Sequence, residues 1–316
     1  MSMDDHKAAA YGGKGWQPRV TTHIDEIGSV WADCGINSEW APLKSVLLHT
    51  PGDELNASMD PEAAQMLAPL DVEKAKAEHI LLSQCYQEQG ITVIQVEPRS
   101  PAHPNQMFCA DLVFMTPEGA VLARPASLVR AGEEVEVARI LVNLGIPILK
   151  TLTGNATFEG ADAMWIDART VVIGLGQRTN SEGAAQVTSV LNAQGVDVLT
   201  VDMPINTMHL MGMFRIFDGD LAVGWTRRTP YRLVETIKNK GFQLIFIEEE
   251  PGQPINRGIN AVTCGPRKIL MPDGYPETQK LFENHDVKCI TSPTTELQKA
   301  AGAIGCLTGV LHREKI

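Results

Sequence analysis

Near the end of the chain, Gly302-Ala303-Ile304-Gly305-Cys306-Leu307-Thr308-Gly309 frames a lone cysteine with glycines. Cys306 is the candidate nucleophile, because a thiolate attacks electron-poor carbon to give a covalent intermediate that a second step resolves. The residues able to serve such a thiol recur upstream at a near-constant interval: Asp111, Glu159 with Asp162, His209, and Asn260. Histidine suits proton transfer near neutral pH, and carboxylates pair with cations taken out of water. Each residue also has a plain structural reading. A cysteine in apolar sequence is more often a small buried hydrophobe, and His209, beside methionines, reads alone as a core histidine. The regular interval is the reason to look further, since it suggests a repeat. Asn260 shares the register but is assigned no role.

The elements that must position these residues repeat as well. One unit reads as two short strands around a tight turn, an amphipathic helix, a glycine, and a further strand. The last strands enter at Gly90-Ile-Thr-Val, Gly145-Ile-Pro-Ile, Gly195-Val-Asp-Val and Gly241-Phe-Gln-Leu, with Asp286-Val-Lys-Cys as a copy lacking glycine. A glycine just past a helix marks its C-terminal end. The hairpins turn at Pro117-Glu-Gly, Asp167-Ala-Arg, Asp218-Gly-Asp and Gly265-Pro-Arg. Leu43 to His49 reads as the first strand and Ile304 to Leu311 as the last, so that the two ends of the chain meet. The spacing predicts an α/β fold of five units closed as a propeller, with residues 37–316 as one domain. Residues 1–36 read as an N-terminal extension open to poor order. Cys109 is predicted on the face of a strand opposite Asp111. A doubly wound nucleotide fold is the rival, but Ile173-Gly174-Leu175-Gly176 lacks the third glycine that its phosphate loop needs.

Several segments taken together resemble the arginine deiminase and amidinotransferase superfamily. They are Ser38 to Leu55, Pro104-Asn105-Gln-Met-Phe108-Cys-Ala-Asp111, Phe158-Glu159-Gly160-Ala161-Asp162, Met208-His209-Leu210, and Cys306. The resemblance covers nearly everything after residue 36 and implies a five-bladed α/β propeller. It implies a cysteine hydrolase of a linear guanidino compound, with Cys306, His209, Glu159 and Asp111 catalytic. It also implies that Asn105, Arg130 and Arg178 hold a substrate α-carboxylate, with Asp162 in the binding set. Two departures stand out: Met211 replaces the aspartate that usually follows His209-Leu210, and the lead-in to Cys306 lacks the usual arginine and glycine. A dimethylarginine-type hydrolase and an amidinotransferase are the neighbouring readings. A non-catalytic binding factor of the same fold is the reading from another class.

The chemistry implied needs no metal or organic cofactor. A guanidinium carbon is a poor electrophile, so attack requires a thiolate and carboxylates that hold the plane still. Net charge is −11 without a basic cluster, which excludes the electrostatic footprint for nucleic acid or an anionic membrane. The six cysteines show no CxxC spacing, arguing against a zinc site or disulfide framework. No apolar run approaches the roughly 20 residues of a bilayer span. The expectations are therefore a cytoplasmic enzyme and a small-molecule guanidino substrate, with homo-oligomerisation left open.

Overall fold

The computed structural model describes residues 8–55, 60–99, 101–248 and 255–316. Residues 1–7 of the expected extension lie outside these. In chain order the elements are β1 (Leu43–Leu48), α1 (Val72–Glu88), β2 (Thr92–Gln95), α2 (Cys109–Leu112), β3 (Val113–Thr116), β4 (Gly119–Leu122), α3 (Glu133–Asn143) and β5 (Ile148–Thr151). There follow β6 (Ala163–Asp167), β7 (Thr170–Leu175), α4 (Ser181–Ala193), β8 (Asp197–Asp202), β9 (Phe214–Asp218), β10 (Leu221–Trp225), α5 (Tyr231–Asn239) and β11 (Gln243–Ile247). The last are β12 (Val262–Gly265), β13 (Lys268–Pro272), α6 (Pro276–Glu283), β14 (Lys288–Ser292), α7 (Ile304–Leu307) and β15 (Gly309–Arg313).

Among the described residues these strands form five three-stranded sheets, all of one plan. An antiparallel hairpin is followed by a helix that returns the chain to pair in parallel with the hairpin's second strand, as in β6-β7-β8. The first sheet draws its outer strand from the far end of the sequence: β15 runs antiparallel to β1, with Val46 opposite Val310. Before β15 the chain makes a helical turn, α7, where the sequence suggested strand. A four-residue turn is too short for helical periodicity to show. Likewise Cys109 lies in the helical turn α2 rather than on a strand.

Local chemistry explains why the helices start and stop where they do. The side chain of Asp71 accepts a hydrogen bond from the Lys74 amide at the start of α1, and Asn180 accepts from the Gly183 amide at the start of α4. Helices α1 and α3 to α5 lead into left-handed glycines, Gly90, Gly145, Gly195 and Gly241; Asp286 takes the same conformation, with φ 60°, in the copy without glycine. Helix α1 buries Ala75, His79, Leu82 and Tyr86, the i, i+4, i+7, i+11 face. Near the N-terminus, Cys34 and Ile36 pack in the core and the Ala32 amide donates to the Gly145 carbonyl. No helix among the described residues is long and apolar enough to cross a membrane, and all six cysteines are free.

The second and third sheets are joined by aromatic packing. Trp165 on β6 is fully buried, stacks on Phe114 of β3 at 6.1 Å between centroids, and donates Nε1–H to the Met115 carbonyl at 3.1 Å. Trp165→Ala removes a large buried ring and leaves that carbonyl without a donor. We expect about 3–5 kcal/mol of destabilisation, read from the midpoint of urea unfolding; a loss under about 1 kcal/mol would mean that the two sheets are held by other contacts.

Candidate active site

In four of the five units a short helical turn immediately precedes the hairpin, and in the remaining one α7 precedes β15; these turns carry the candidate residues. Asp111 lies on α2, Glu159 at the start of the turn Gly160–Asp162, His209 just before Leu210–Gly212, Asn260 just after Arg257–Ile259, and Cys306 on α7. Tight packing fixes their register. A Cβ at residue 160 would stand 2.4 Å from the Val113 carbonyl oxygen and 2.6 Å from that of Ala110, so only glycine lets Glu159 approach α2.

Asp111, Glu159, His209 and Cys306 come together, and all four are buried. His209 Nε2 lies 2.7 Å from Glu159 Oε2, and its Nδ1 lies 3.7 Å from Asp111 Oδ1. Burial pulls the His209 pKa down, but the Asp111 charge and the hydrogen bond and charge of Glu159 outweigh it and hold the imidazole up at about 9. His209 is thus an imidazolium at neutral pH. Glu159 is held down at about 2: burial works against its ionisation, but His209, Arg130 and Arg178 overcome it. Burial, then the Asp111 charge, push the Cys306 thiol above its ordinary value.

Asn260, for which the sequence suggested no role, touches the thiol directly. Its Nδ2 donates to Cys306 Sγ at 3.1 Å, and its Oδ1 accepts from the Cys306 amide at 3.2 Å. Its place in the repeating register was the signal. Arg215 on β9 was missed altogether. Its Nε and Nη2 have no hydrogen-bond partner among the described residues, and its charge opposes the upward push on the thiol. An arginine inside the apolar run Phe214-Arg215-Ile216-Phe217 was the available sign, since a charge is rarely buried without use.

The expected carboxylate-binding set departs further from expectation. Asn105, Arg130 and Arg178 do share a cavity wall with Asp111, His209 and Cys306. Arg130, however, is spent on acids: Nη1 donates to Asp111 Oδ2 at 2.7 Å and to Glu159 Oε2 at 3.1 Å, while Nε and Nη2 donate to Glu133 Oε2. Arg178 Nη1 reaches Glu159 Oε1 at 3.5 Å, and Asn105 Nδ2 donates to the Ala64 carbonyl. Asp162 does not reach the cavity. Its oxygens accept from the Thr179 hydroxyl and the Leu210 amide, so it braces the segment carrying His209 instead of facing a ligand. Asp111, Glu159 and His209 offer ligand-type atoms within 4.8 Å of one another, but the Arg130 guanidinium already supplies their positive charge.

A family model described as N,N dimethylarginine dimethylhydrolase, eukaryotic, matches residues 56–311. An N(G),N(G)-dimethylarginine dimethylaminohydrolase of Pseudomonas aeruginosa is 24% identical over 268 residues, covering 84% of this chain and 98% of the relative. A dimethylarginine dimethylaminohydrolase solved as an adduct with 4-chloro-2-hydroxymethylpyridine superposes with a TM-score of 0.71 at 22% identity, over 86% of this chain and all of the other. The product-bound N-terminal domain of ArgZ, an arginine dihydrolase from cyanobacteria, superposes with a TM-score of 0.72 at 22% identity, over 86% of this chain and 98% of that domain. Five mixed sheets bringing a cysteine, a histidine and paired carboxylates together thus place the protein in the arginine deiminase and amidinotransferase superfamily. Within it, the chain belongs to the N,N-dimethylarginine dimethylhydrolase family. It is a hydrolase of carbon–nitrogen bonds other than peptide bonds.

Gly305 ties the newly found residues to the thiol. A Cβ there would stand 1.9 Å from Arg215 Nη2 and 2.7 Å from Asn260 Oδ1. Gly305→Ala must displace both, and a shift of an ångström at the reacting atoms costs about 100-fold in rate. We expect hydrolysis to fall by about that factor while the far-ultraviolet circular dichroism is unchanged; wild-type turnover would show that the thiol does not depend on this packing.

Proposed function

We propose that the protein hydrolyses a linear guanidino compound, arginine or a close derivative, to a ureido product and ammonia or an amine. The observation that supports this most is Asp111 Oδ1, a buried carboxylate oxygen on the cavity shared with Cys306 that has no hydrogen-bond partner among the described residues. The other oxygen of the same carboxylate already bonds a guanidinium, that of Arg130. An empty acceptor beside a filled one of this kind suits a planar cation with N–H donors.

In this reading the substrate cation lies against Asp111 and Glu159 and offsets the burial that keeps Cys306 protonated. The thiol proton leaves to solvent as the cation binds, the thiolate adds to the guanidinium carbon, the His209 imidazolium gives its proton to the departing nitrogen, and a covalent amidino-thioether remains. Neutral His209 then takes a proton from water as the water oxygen adds to the carbon, and collapse breaks the carbon–sulfur bond to release the ureido product and the thiolate, with His209 left as the imidazolium. Arg130 pairs with Asp111 and Glu159 and orients them, and is itself held in place by Glu133. We take residues 37–316 as one catalytic domain whose five sheets are the blades of a closed α/β propeller, supported by the return of β15 to β1. The free thiols suit a reducing cytoplasm.

A dimethylarginine-type hydrolase is the second reading. Met211 brings no acceptor after His209-Leu210, although it lines a separate cavity with Arg215 and Gly305 and not the one at Cys306. The test incubates wild type and Cys306→Ala with arginine, Nω-methylated arginines, agmatine and guanidinoacetate, followed by product analysis and intact mass. A ureido product from wild type alone is expected, with the relative rates naming the substrate. Product only when an amine is added would make the enzyme a transferase, and neither turnover nor adduct would return the non-catalytic reading.

The thiol should also discriminate between reagents by charge. Because its pKa is raised, neutral iodoacetamide should alkylate Cys306 slowly at pH 7 and faster as pH rises through and beyond the ordinary thiol range. Cationic chloroacetamidine should react readily at pH 7. Asp111→Asn removes the charge that opposes the thiolate and also attracts the cation, so it should speed the first reagent and slow the second. A change of both rates in the same direction would count against the proposed role of Asp111.

A further inference from the structure

Behind the turn that carries Cys306, a separate cavity of about 60 Å³ lies against Gly305, and neither Cys306 nor the acids that serve it line its wall. Two of its wall residues are arginines, Arg215 of β9 and Arg313 of β15, and both are buried, at 7% and 1% exposure. Arg215 Nε and Nη2 have no hydrogen-bond partner among the described residues. Arg313 spends Nη1 on the Ala41 carbonyl, at 2.8 Å, and its Nε likewise has no partner there. Three buried nitrogens with N–H groups to donate therefore belong to the wall of one cavity.

The charges around it do not balance. Glu39 is the carboxylate of the wall, and its Oε1 is taken by the Trp165 amide at 3.0 Å rather than by either arginine. The other ionisable groups near the two guanidiniums are Tyr86, Cys264 and Cys306. Burial holds all three in their neutral forms. Two positive charges thus face one negative. Arginine does not shed its proton, and a buried charge without a counter-charge is costly.

The excess calls for a single negative charge, and the wall selects its kind. Both hydroxyls there are already used, since Thr263 donates to the Ile216 carbonyl and Thr308 to that of Ile304. Val113, Phe114 and Val262 make other parts of the wall apolar. A multivalent oxyanion would lose more hydration here than so few donors replace, whereas a halide gives up water more readily and accepts N–H bonds from any direction. One water needs about 10–15 Å³ of such space, so the slightly larger chloride ion fits. We infer that this cavity is a binding site for one halide ion, chloride under ordinary conditions, held between Arg215 and Arg313. The site is independent of which guanidino compound is the substrate.

Crystals soaked in sodium bromide provide the first test. An anomalous-difference peak within hydrogen-bond distance of both Arg215 and Arg313 is expected; bromide confined to the outer surface would refute the site. In solution, the melting temperature is followed as sodium chloride replaces sodium gluconate, whose anion is too large for the cavity, at constant ionic strength. Between about 5 and 500 mM chloride, wild type should gain about 2 °C or more relative to Arg215→Met and to Arg313→Met, each of which brings the charges into balance. Glu39→Gln raises the excess and keeps an acceptor for the Trp165 amide, so its gain should exceed that of wild type. The same chloride response in all four proteins would overturn the assignment, and the bromide map on wild type decides the matter should a variant fail to fold.

Discussion

The structure turns on the burial of one carboxylate. Glu159 is wholly shut off from solvent, yet it stays ionised because His209, Arg130, Arg178 and the Ala126 amide all donate to it. A buried charge is tolerable only when paired and hydrogen-bonded, and removing one partner of such a pair typically costs about 3–5 kcal/mol. Glu159 therefore commits neighbouring units to one another. Arg130, drawn in to meet it, in turn requires Asp111 and Glu133, and the excess of acid holds His209 protonated. The same contacts set the protonation states of the site and hold the sheets in register.

Much of the architecture was legible because it repeats. Every hairpin appeared as an apolar pair of runs around a turn, and the glycines after the helices marked the parallel strands. Asp286 shows how strong the constraint is, since an aspartate accepts the left-handed conformation where the other copies use glycine. The shared register suggested that Asp111, Glu159, His209 and Cys306 could face one pocket, and the family resemblance singled them out. The helical turns α2 and α7 did not appear, because four residues carry no periodic signal. Their existence changes the picture of how Cys306 is presented: the turn, rather than a strand, aims its thiol at Asn260.

What stayed hidden was directional. A sequence names Arg130 and Arg178 but not which way their side chains point, and here the buried acids draw them inward. The same reason conceals the pairing of Arg228 with Trp225 across a bend of the chain. Arg215 was hidden differently, since a charge within an apolar strand reads as a break in the pattern until the space beneath Gly305 is seen.

The pairing of β15 with β1 carries a consequence for how the molecule is made. Val46 must wait for Val310, some 260 residues later in synthesis, before the first sheet has its outer strand. Closing so long a loop is entropically costly and slow, and contacts this distant in sequence form late. The turn bearing Cys306 is joined directly to that strand. The thiol consequently meets Asn260, His209 and the acids only as the last sheet is completed, so a nascent or partly folded chain carries an ordinary cysteine there and no assembled centre.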